Sequence, residues 1–329
     1  MNKIKVAVPN IKYDDNGFSQ ILKIMETITS DPKRNFDFDF SKCSRLDHHG
    51  VVMLGGLARY VNFQNTKLAR SLISIFDGQS FATAGVMFDV NSMSDLIRSR
   101  LISNNFLSHF SQENFEGYAG GDYIGYREHT THLDEDNIAE HLNEQWLSDD
   151  KVKLSDMLKN EIVSRIFEIF MNAYGHGAAI QDLKQLGVYS CGQYDRKEKT
   201  LSLSVLDFGP GIVQNVRRFN GDIESDIDAM QWALVKGNST GTDSVKQGMP
   251  RGLGFDLLCE FVRINEGEMR IYSNKVYAKI SKGNAFDIGV SQHNFPGTLV
   301  SIKINCDNKH YRFKSEDVSQ VKFFRSCQC

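Results

Sequence analysis

The first third of the chain alternates short strand patterns with helix patterns. Residues 36–40 alternate strictly between phenylalanine and aspartate, which is the period of a strand with one buried face. The other predicted elements here are strands at 4–8 and 71–76 and helices at 18–28, 50–61 and 92–101. This alternation predicts a small α/β layer over residues 1–112.

The second half has a different order of elements. The pattern predicts helices at 137–147, 154–175 and 251–263, and strands at 188–190, 201–206, 269–273, 276–280 and 298–304. A block of helices followed by consecutive strands predicts an α+β sandwich, with helices on one face of a mixed sheet. A polar, glycine-containing junction at 113–133 precedes it, so the second predicted domain is 134–306, followed by a tail at 307–329.

Composition and charge exclude several classes of protein. The chain has 329 residues, 41% hydrophobic and 24% charged, as expected for about two folded domains. Its net charge of -3 indicates no overall attraction to nucleic acid or to an anionic membrane, and its apolar runs are too short to span a bilayer. We therefore expect a cytoplasmic protein without a nucleic-acid or membrane partner; a homodimer stays open.

One predicted helix of the second half carries polar groups at a regular interval. Glu168, Asn172 and His176 recur at every fourth position, so they share one stripe beside an apolar arc. At the margin of a buried face, these groups would be available to a cleft. The alternative is that the stripe is the solvated face of an amphipathic helix, and the helix pattern alone favours neither interpretation.

A second candidate lies where the strand at 201–206 ends. Asp207 follows the apolar residues directly, and Gly209 and Gly211 come after it. A carboxylate at the end of a buried strand requires a hydrogen-bond donor, which the exocyclic amine of a purine would supply. Glycines there would let a planar ligand approach the backbone. An ordinary β-turn is the simpler interpretation of the same residues.

The third candidate is the glycine-rich loop 248–254, directly before the apolar helix residues 255–261. Gly248, Gly252 and Gly254 would direct backbone amides at an anion, an arrangement suited to phosphate groups. A flexible loop with a glycine start to the helix explains the same residues. Other nucleotide motifs are absent from the sequence: it has no G-x-x-x-x-G-K-[ST] loop, no dinucleotide fingerprint and no kinase catalytic loop.

Taken in order, these motifs resemble the GHKL superfamily, the histidine-kinase-like ATPases with the Bergerat fold. The matching residues run from 168 to 298: E-x3-N-x3-H-G from Glu168, D-x-G-x-G from Asp207, G-x3-G-x-G from Gly248, and Gly297-Thr298 opening the last strand. Residues 167–177 are most similar to the corresponding helix of anti-sigma-factor serine kinases.

The resemblance implies a nucleotide-binding role for these motifs. Asp207 would accept a hydrogen bond from the adenine amine, with Thr298 in support, and Gly209 and Gly211 would allow the base to approach. The positions implied to lie near the phosphates are Gly252, Gly254, His176 and Arg251, with 236–250 as a lid.

The same resemblance implies a metal and a reaction. Asn172 would bind Mg²⁺ through its amide oxygen, and Glu168 would be the catalytic base toward water or a substrate hydroxyl. The expected function is a regulatory, slow Mg-ATPase that switches an interaction with a regulatory protein partner through its lid. Two alternatives stay open: an anti-sigma-type serine/threonine kinase acting on a separate, STAS-like partner, and a non-catalytic scaffold that senses nucleotide.

The first half resembles a STAS-like domain, the partner fold of anti-sigma kinases. Leu46-Asp47-His48-His49-Gly50 lies between a predicted strand and helix, where that family has a D-S-S-G loop. His48 replaces the hydroxyl residue that receives phosphate, so serine phosphorylation of this loop is not expected. The simplest interpretation of His48 and His49 is a solvated loop; phosphohistidine chemistry or a pH-sensitive contact is the alternative.

Overall fold

The computed structural model describes residues 3–73, 85–110, 123–130, 134–178, 186–235, 238, 254–281 and 285–317, with backbone alone at 67–73, 123, 175–178, 254–255 and 317. The helices are α1 (Asp15–Ser30), α2 (His48–Ile73), α3 (Asp95–Ser103), α4 (Phe106–Phe110), α5 (Glu135–Glu140), α6 (Asp156–Ala178), α7 (Gly211–Phe219), α8 (Asp226–Leu234), α9 (Gly254–Ile264) and α10 (Lys314–Asp317). A 3-10 turn covers Val90–Ser92, and a π-helical turn, His141–Trp146, continues α5. No helix among these residues is both long and apolar enough to cross a bilayer.

The strands of the described residues form three sheets. They are β1 (Lys3–Ala7), β2 (Asn35–Asp39), β3 (Val86–Asp89), β4 (Tyr123–His129), β5 (Lys153–Leu154), β6 (Val188–Asp195), β7 (Thr200–Asp207), β8 (Glu268–Ser281), β9 (Asp287–Asn305) and β10 (His310–Tyr311). The small sheet has the order β1-β2-β3, the large sheet the order β4-β6-β7-β9-β8, and β10 pairs with β5 alone. The whole is a mixed α/β structure of α+β type.

The small sheet is parallel, because α1 connects β1 to β2 and α2 connects β2 to β3. The alternation in β2 buries Phe36 and Phe38 and leaves Asp37 and Asp39 half-buried, as predicted. The strand predicted at 71–76 is wrong over 71–73, which belong to α2; 74–76 lie outside the described residues. A short apolar run cannot be assigned to a strand or a buried helix by periodicity alone, and here α2 simply continues.

The large sheet is antiparallel in every described pairing, not mixed as predicted. Hairpins, which require antiparallel neighbours, join β6 to β7 and β8 to β9. The two strands predicted at 269–273 and 276–280 are one strand, β8, with an irregularity at Asn274. The edge strand β4 was not predicted, because it lies in the segment interpreted as a junction.

Helices cover both faces of the large sheet, whereas the sequence predicted one. On the first face, α6 packs against β7 and α9. On the second face, α1 contacts β9, and α2 contacts β6 and β7, so the N-terminal helices lie between the two sheets. Tyr189, Leu206 and Leu299 point to that second face and are fully buried there. A sheet with apolar residues on both faces requires cover on both.

Two glycines let α2 lie close against the large sheet. A Cβ atom at Gly55 would be 2.4 Å from Oη of Tyr126, and one at Gly56 would be 2.4 Å from Cδ2 of Leu206. The Tyr126 side chain is fully buried, and its hydroxyl donates to Glu128 at 3.0 Å. The ring therefore has no room to move away from a larger residue.

We expect Gly55→Leu to destabilise the protein by about 3 kcal/mol or more, because overpacking exceeds the gain of roughly 1 kcal/mol in helix propensity. Urea unfolding followed by circular dichroism measures the difference. Gly221→Leu is the control, since a Cβ atom there meets nothing within 4 Å. Equal midpoints for both variants would show that α2 is not packed against the sheet in this way.

Candidate functional site

One end of the large sheet brings the predicted strand-end residues into a row. The register pairs His129 with Val188, Val188 with Asp207, Asp207 with Thr298, and Thr298 with Ser273. Asp207 and Thr298, predicted from separate motifs, are therefore direct neighbours across β7 and β9. Their pairing comes from the sheet register and not from their own local sequence.

The row points to the face that α6 covers. Side chains alternate along a strand, so Asp207 shares a face with Val205, which belongs to the same core cluster as the α6 residues. The ring of Phe170, in the middle of α6, meets the His129 ring at a centroid distance of 5.4 Å. The part of α6 that carries Glu168 and Asn172 thus lies at the level of this row.

Asp207 is a buried acid, as the sequence predicted. It is the last residue of the apolar strand β7 and is 4% exposed. Its Oδ1 accepts a hydrogen bond of 2.6 Å from the Gly209 N–H. Burial raises the pKa of Asp207 to about 7, although hydrogen bonds from Gly209 and Thr298 act in the opposite direction. Near neutral pH the carboxyl group is thus divided between its two forms, and a donor ligand would favour the ionised one.

Two positions around the end of β7 require glycine, one in the turn after Asp207 and one on β9. Gly211 begins α7 with φ +81°, and a Cβ atom there would lie 2.4 Å from Oδ1 of Asn274. Across the strand pair, Gly297 has φ +146°, and its Cβ atom would lie 2.0 Å from the Asp207 carbonyl oxygen. The segment after Asp207 thus leads into α7 and is not an ordinary β-turn. The Gly297 backbone lies close against that of Asp207.

Ser273 and Asn274 of β8 hold this turn in place. The Ser273 hydroxyl accepts from the Ile212 N–H at 2.8 Å and donates to the Gly297 carbonyl at 3.1 Å. The Asn274 amide donates to the Pro210 carbonyl at 3.2 Å. Sequence reasoning missed both residues, because no local motif marks them and their role depends on the register of β8.

A cavity of about 510 Å³ opens beside the turn, within the range of small-ligand sites. Its lining includes Gly209, Pro210, Gln214, Arg217, Asn274 and Lys275. Arg217 is paired with Asp226 at 2.8 Å. The cavity thus reaches the turn after Asp207 through Gly209 and Pro210.

The polar stripe of α6 has two environments. Its apolar arc is buried as predicted, including Ile162, Ile166 and Phe170. The Glu168 side chain is 33% exposed, and its Oε1 lies 2.6 Å from Nη1 of Arg165. Asn172 is exposed. The described part of the stripe is thus half-buried at Glu168, which is paired, and exposed at Asn172, so both predicted interpretations stay open.

Three predicted phosphate-side residues lie wholly or partly outside the described residues. His176 belongs to α6, but its side chain is not described; Arg251 and Gly252 are outside, as is the predicted lid at 236–250 apart from Asn238. Gly254 is the first described residue of α9, so the helix predicted at 251–263 is confirmed over 254–263.

His48 and His49 form the first turn of α2 and are not in a solvated loop, contrary to the simplest prediction. His48 is 3% exposed and stacks on Tyr13 at 5.3 Å; His49 is fully buried and stacks on Phe18 at 4.2 Å. Among the described residues, Nε2 of His48 and both ring nitrogens of His49 have no hydrogen-bond partner. Burial lowers the pKa of both, that of His48 to about 3. Both histidines are enclosed because α1 and α2 pack on the large sheet.

No protein-family model matches the chain, and a search of curated proteins finds no match either. The interpretation of the site therefore depends on its own geometry. A buried carboxyl group that titrates near neutrality, flanked by a glycine turn and a cavity, is suited to bind a ligand that donates a hydrogen bond.

Proposed function

We propose that this chain binds Mg-ATP in its second half and uses the nucleotide to switch an interaction with a regulatory protein partner. The observation that supports it is Asp207, a buried acid at the end of β7 that already accepts a hydrogen bond from the Gly209 N–H; a further donor from a ligand would favour its ionised form. The exocyclic amine of adenine is such a donor. Guanine presents a carbonyl oxygen at that position, which an ionised carboxylate would repel.

The surrounding groups are suited to the rest of the nucleotide. Gly211 lacks the Cβ atom that would collide with Asn274, which lines the cavity together with Gly209 and Pro210. The Asn172 amide oxygen is a hard ligand of the kind Mg²⁺ prefers, and Gly254 begins a helix whose N-terminus favours anions. Bound Mg²⁺ would neutralise charge on the phosphates.

A second candidate function is nucleotide sensing without turnover. Arg165 pairs with Glu168 and also with Glu161, so the carboxylate proposed as catalytic base already has a cationic partner. To act as a base, this carboxylate would first have to be released from Arg165 so that it can contact the nucleophile. This ion pair favours binding as the primary function, with slow hydrolysis or phosphotransfer only where the pair opens.

Calorimetric titration of ATP, ADP and GTP, with and without Mg²⁺, tests nucleotide binding. We expect the adenine nucleotides to bind and GTP to bind at least about tenfold more weakly, the effect of one unfavourable buried contact. Asn172→Ala should remove the dependence on Mg²⁺, whereas Asn62→Ala, at an exposed position of α2, should not. Equal affinity for ATP and GTP would contradict the role of Asp207.

Incubation with γ-labelled ATP separates the reaction classes. Free phosphate indicates hydrolysis, label on a protein indicates a kinase, and neither product despite binding indicates sensing alone. If Glu168 is the base, Glu168→Gln should abolish turnover while ATP still binds, and Arg165→Ala should raise turnover. Unchanged turnover in Glu168→Gln would exclude Glu168 as the base.

A further inference from the structure

The small sheet has an open edge at β1. In the part of the chain that the structure describes, β1 pairs with β2 and with no other strand. The Val8 N–H donates to the Asp39 carbonyl at 2.8 Å, on the β2 side. Because backbone groups alternate along a strand, those of Ile4 and Val6 also face β2, and those of Lys5 and Ala7 face away. Unpaired edge groups of this kind are able to pair with another strand.

An apolar groove of about 700 Å³ lies beside this edge, between β1 and α1. Its floor includes Ile4 and Val6 of β1 and Ile24 and Ile28 of α1. Ile4 is 37% exposed although its register partner, Phe36, is buried. The apolar face of the small sheet therefore extends into the groove, where an added strand would cover it.

The rim of the groove is basic. Among the described residues, its lining includes four basic side chains, Lys5, Lys23, Arg34 and Lys42, and one acid, Asp31, whereas the whole chain has a net charge of -3. Lys5 is paired with Asp39 and Arg34 with Asp31, which leaves the positive charge concentrated at Lys23 and Lys42. Such a rim attracts an acidic ligand. It also disfavours a second copy of this chain, because pairing two β1 edges would bring their lysines together.

We propose that β1 and α1 form a docking groove for an acidic, extended segment of a partner protein, which adds to the small sheet as a fourth strand. Backbone hydrogen bonds to Lys5 and Ala7 would hold the segment, and alternate apolar side chains would fill the groove over Ile4 and Ile24. Acidic side chains would face Lys23 and Lys42. The proposal stands apart from nucleotide binding, since the groove lies on the small sheet.

A labelled peptide of alternating valine and glutamate tests the groove. Its binding to the full chain is measured by fluorescence anisotropy, beside a peptide of alternating valine and lysine. We expect the glutamate peptide to bind at least about tenfold more tightly, because only its charges match the rim. Equal binding of both peptides, or binding of neither, would overturn the proposal.

Two variants and one control locate the binding. Ala7→Pro removes a backbone N–H at the open edge and keeps every hydrogen bond to β2. Proline is tolerated at such an edge position. The variant should weaken binding of the glutamate peptide about fivefold. Lys23→Glu should weaken the glutamate peptide by a similar factor and strengthen the lysine peptide. Lys197→Glu, at an exposed turn between β6 and β7, should change neither.

Other occupants give different results. Wild-type affinity in Ala7→Pro would show that no strand is added at this edge. If sedimentation shows that the chain forms dimers and that Ala7→Pro makes it monomeric, the edge is an interface between copies and the proposal fails. Tighter binding of a polyuridylate oligonucleotide than of the glutamate peptide, lost in Lys23→Glu, would also overturn it.

Discussion

Asp207→Asn is expected to lower the affinity for ATP about a hundredfold while raising the melting temperature of the free protein. The loss follows because the amide of asparagine would face the adenine amine with a donor, and a buried charge-assisted hydrogen bond would disappear. The gain follows because asparagine carries no charge to bury. A misfolded variant would lose both ATP affinity and thermal stability. A loss of affinity together with a higher melting temperature therefore identifies the role of Asp207.

The sign of the stability change comes from the pKa of Asp207, which burial raises from 3.8 to about 7. The folded state therefore binds the proton more tightly than the unfolded chain, and this group's contribution to stability rises as pH falls from about 7 to about 4. At pH 8 the ionised carboxylate is unfavourable by at most about 4 kcal/mol. The gain in Asp207→Asn should thus be largest at pH 8 and small at pH 4.

Two measurements check this prediction together: ATP calorimetry and thermal unfolding, each at pH 8 and pH 6. In the wild type, ATP should bind more weakly at pH 6, since the carboxyl group must first release its proton. Asp222→Asn is the control, because Asp222 is exposed. Unchanged ATP affinity in Asp207→Asn would show that the acid does not contact the base.

Acid should unfold this protein at a higher pH than its carboxylates alone would require. Burial lowers the pKa of His48 and His141 to about 3 and that of His129 to about 4, and it lowers that of His49 as well. The unfolded chain takes up these protons near pH 6.5, so stability is lost as pH falls from 6.5 toward 3.

The expected loss is large. At pH 4.5, His48 and His141 together cost about 5 kcal/mol, which is comparable with half the stability of an ordinary domain. Asp207 acts in the opposite direction over this range, but it contributes one proton against the four of the histidines. Urea midpoints measured from pH 7 to pH 4.5 give the proton difference directly.

His49→Phe separates this effect from general acid sensitivity. Phenylalanine keeps the stack on Phe18 and removes two buried ring nitrogens that have no described partner. The variant should be more stable than the wild type at pH 5 and should show a shallower pH dependence. Its matched control is His310→Phe, because His310 is exposed. A wild-type pH profile in His49→Phe would contradict the burial of this ring.

Features marked by local periodicity could be predicted from the sequence. The alternation at 36–40 determined the buried face of β2, and the apolar run before Asp207 correctly placed that acid at the end of a strand. The apolar arc of α6 followed from its helical spacing in the same way. Each of these signals lies within a few residues and does not depend on the rest of the chain.

Features created by contacts between distant segments could not be predicted. His48 and His49 resemble a polar loop in sequence, and they are buried only because α1 and α2 pack between two sheets. Ser273 and Asn274 gain their role from hydrogen bonds to the turn after Asp207, more than sixty positions away. Local pattern carries no information about either arrangement.

We propose above that Asp207 binds the base of a purine nucleotide. A crystal structure of the protein grown with Mg²⁺ and a non-hydrolysable ATP analogue tests it most directly, through the distance between the adenine N6 atom and the Asp207 carboxylate. We expect a hydrogen bond of about 2.9 Å between these groups. An analogue bound elsewhere, or none bound at saturating concentration, would contradict it.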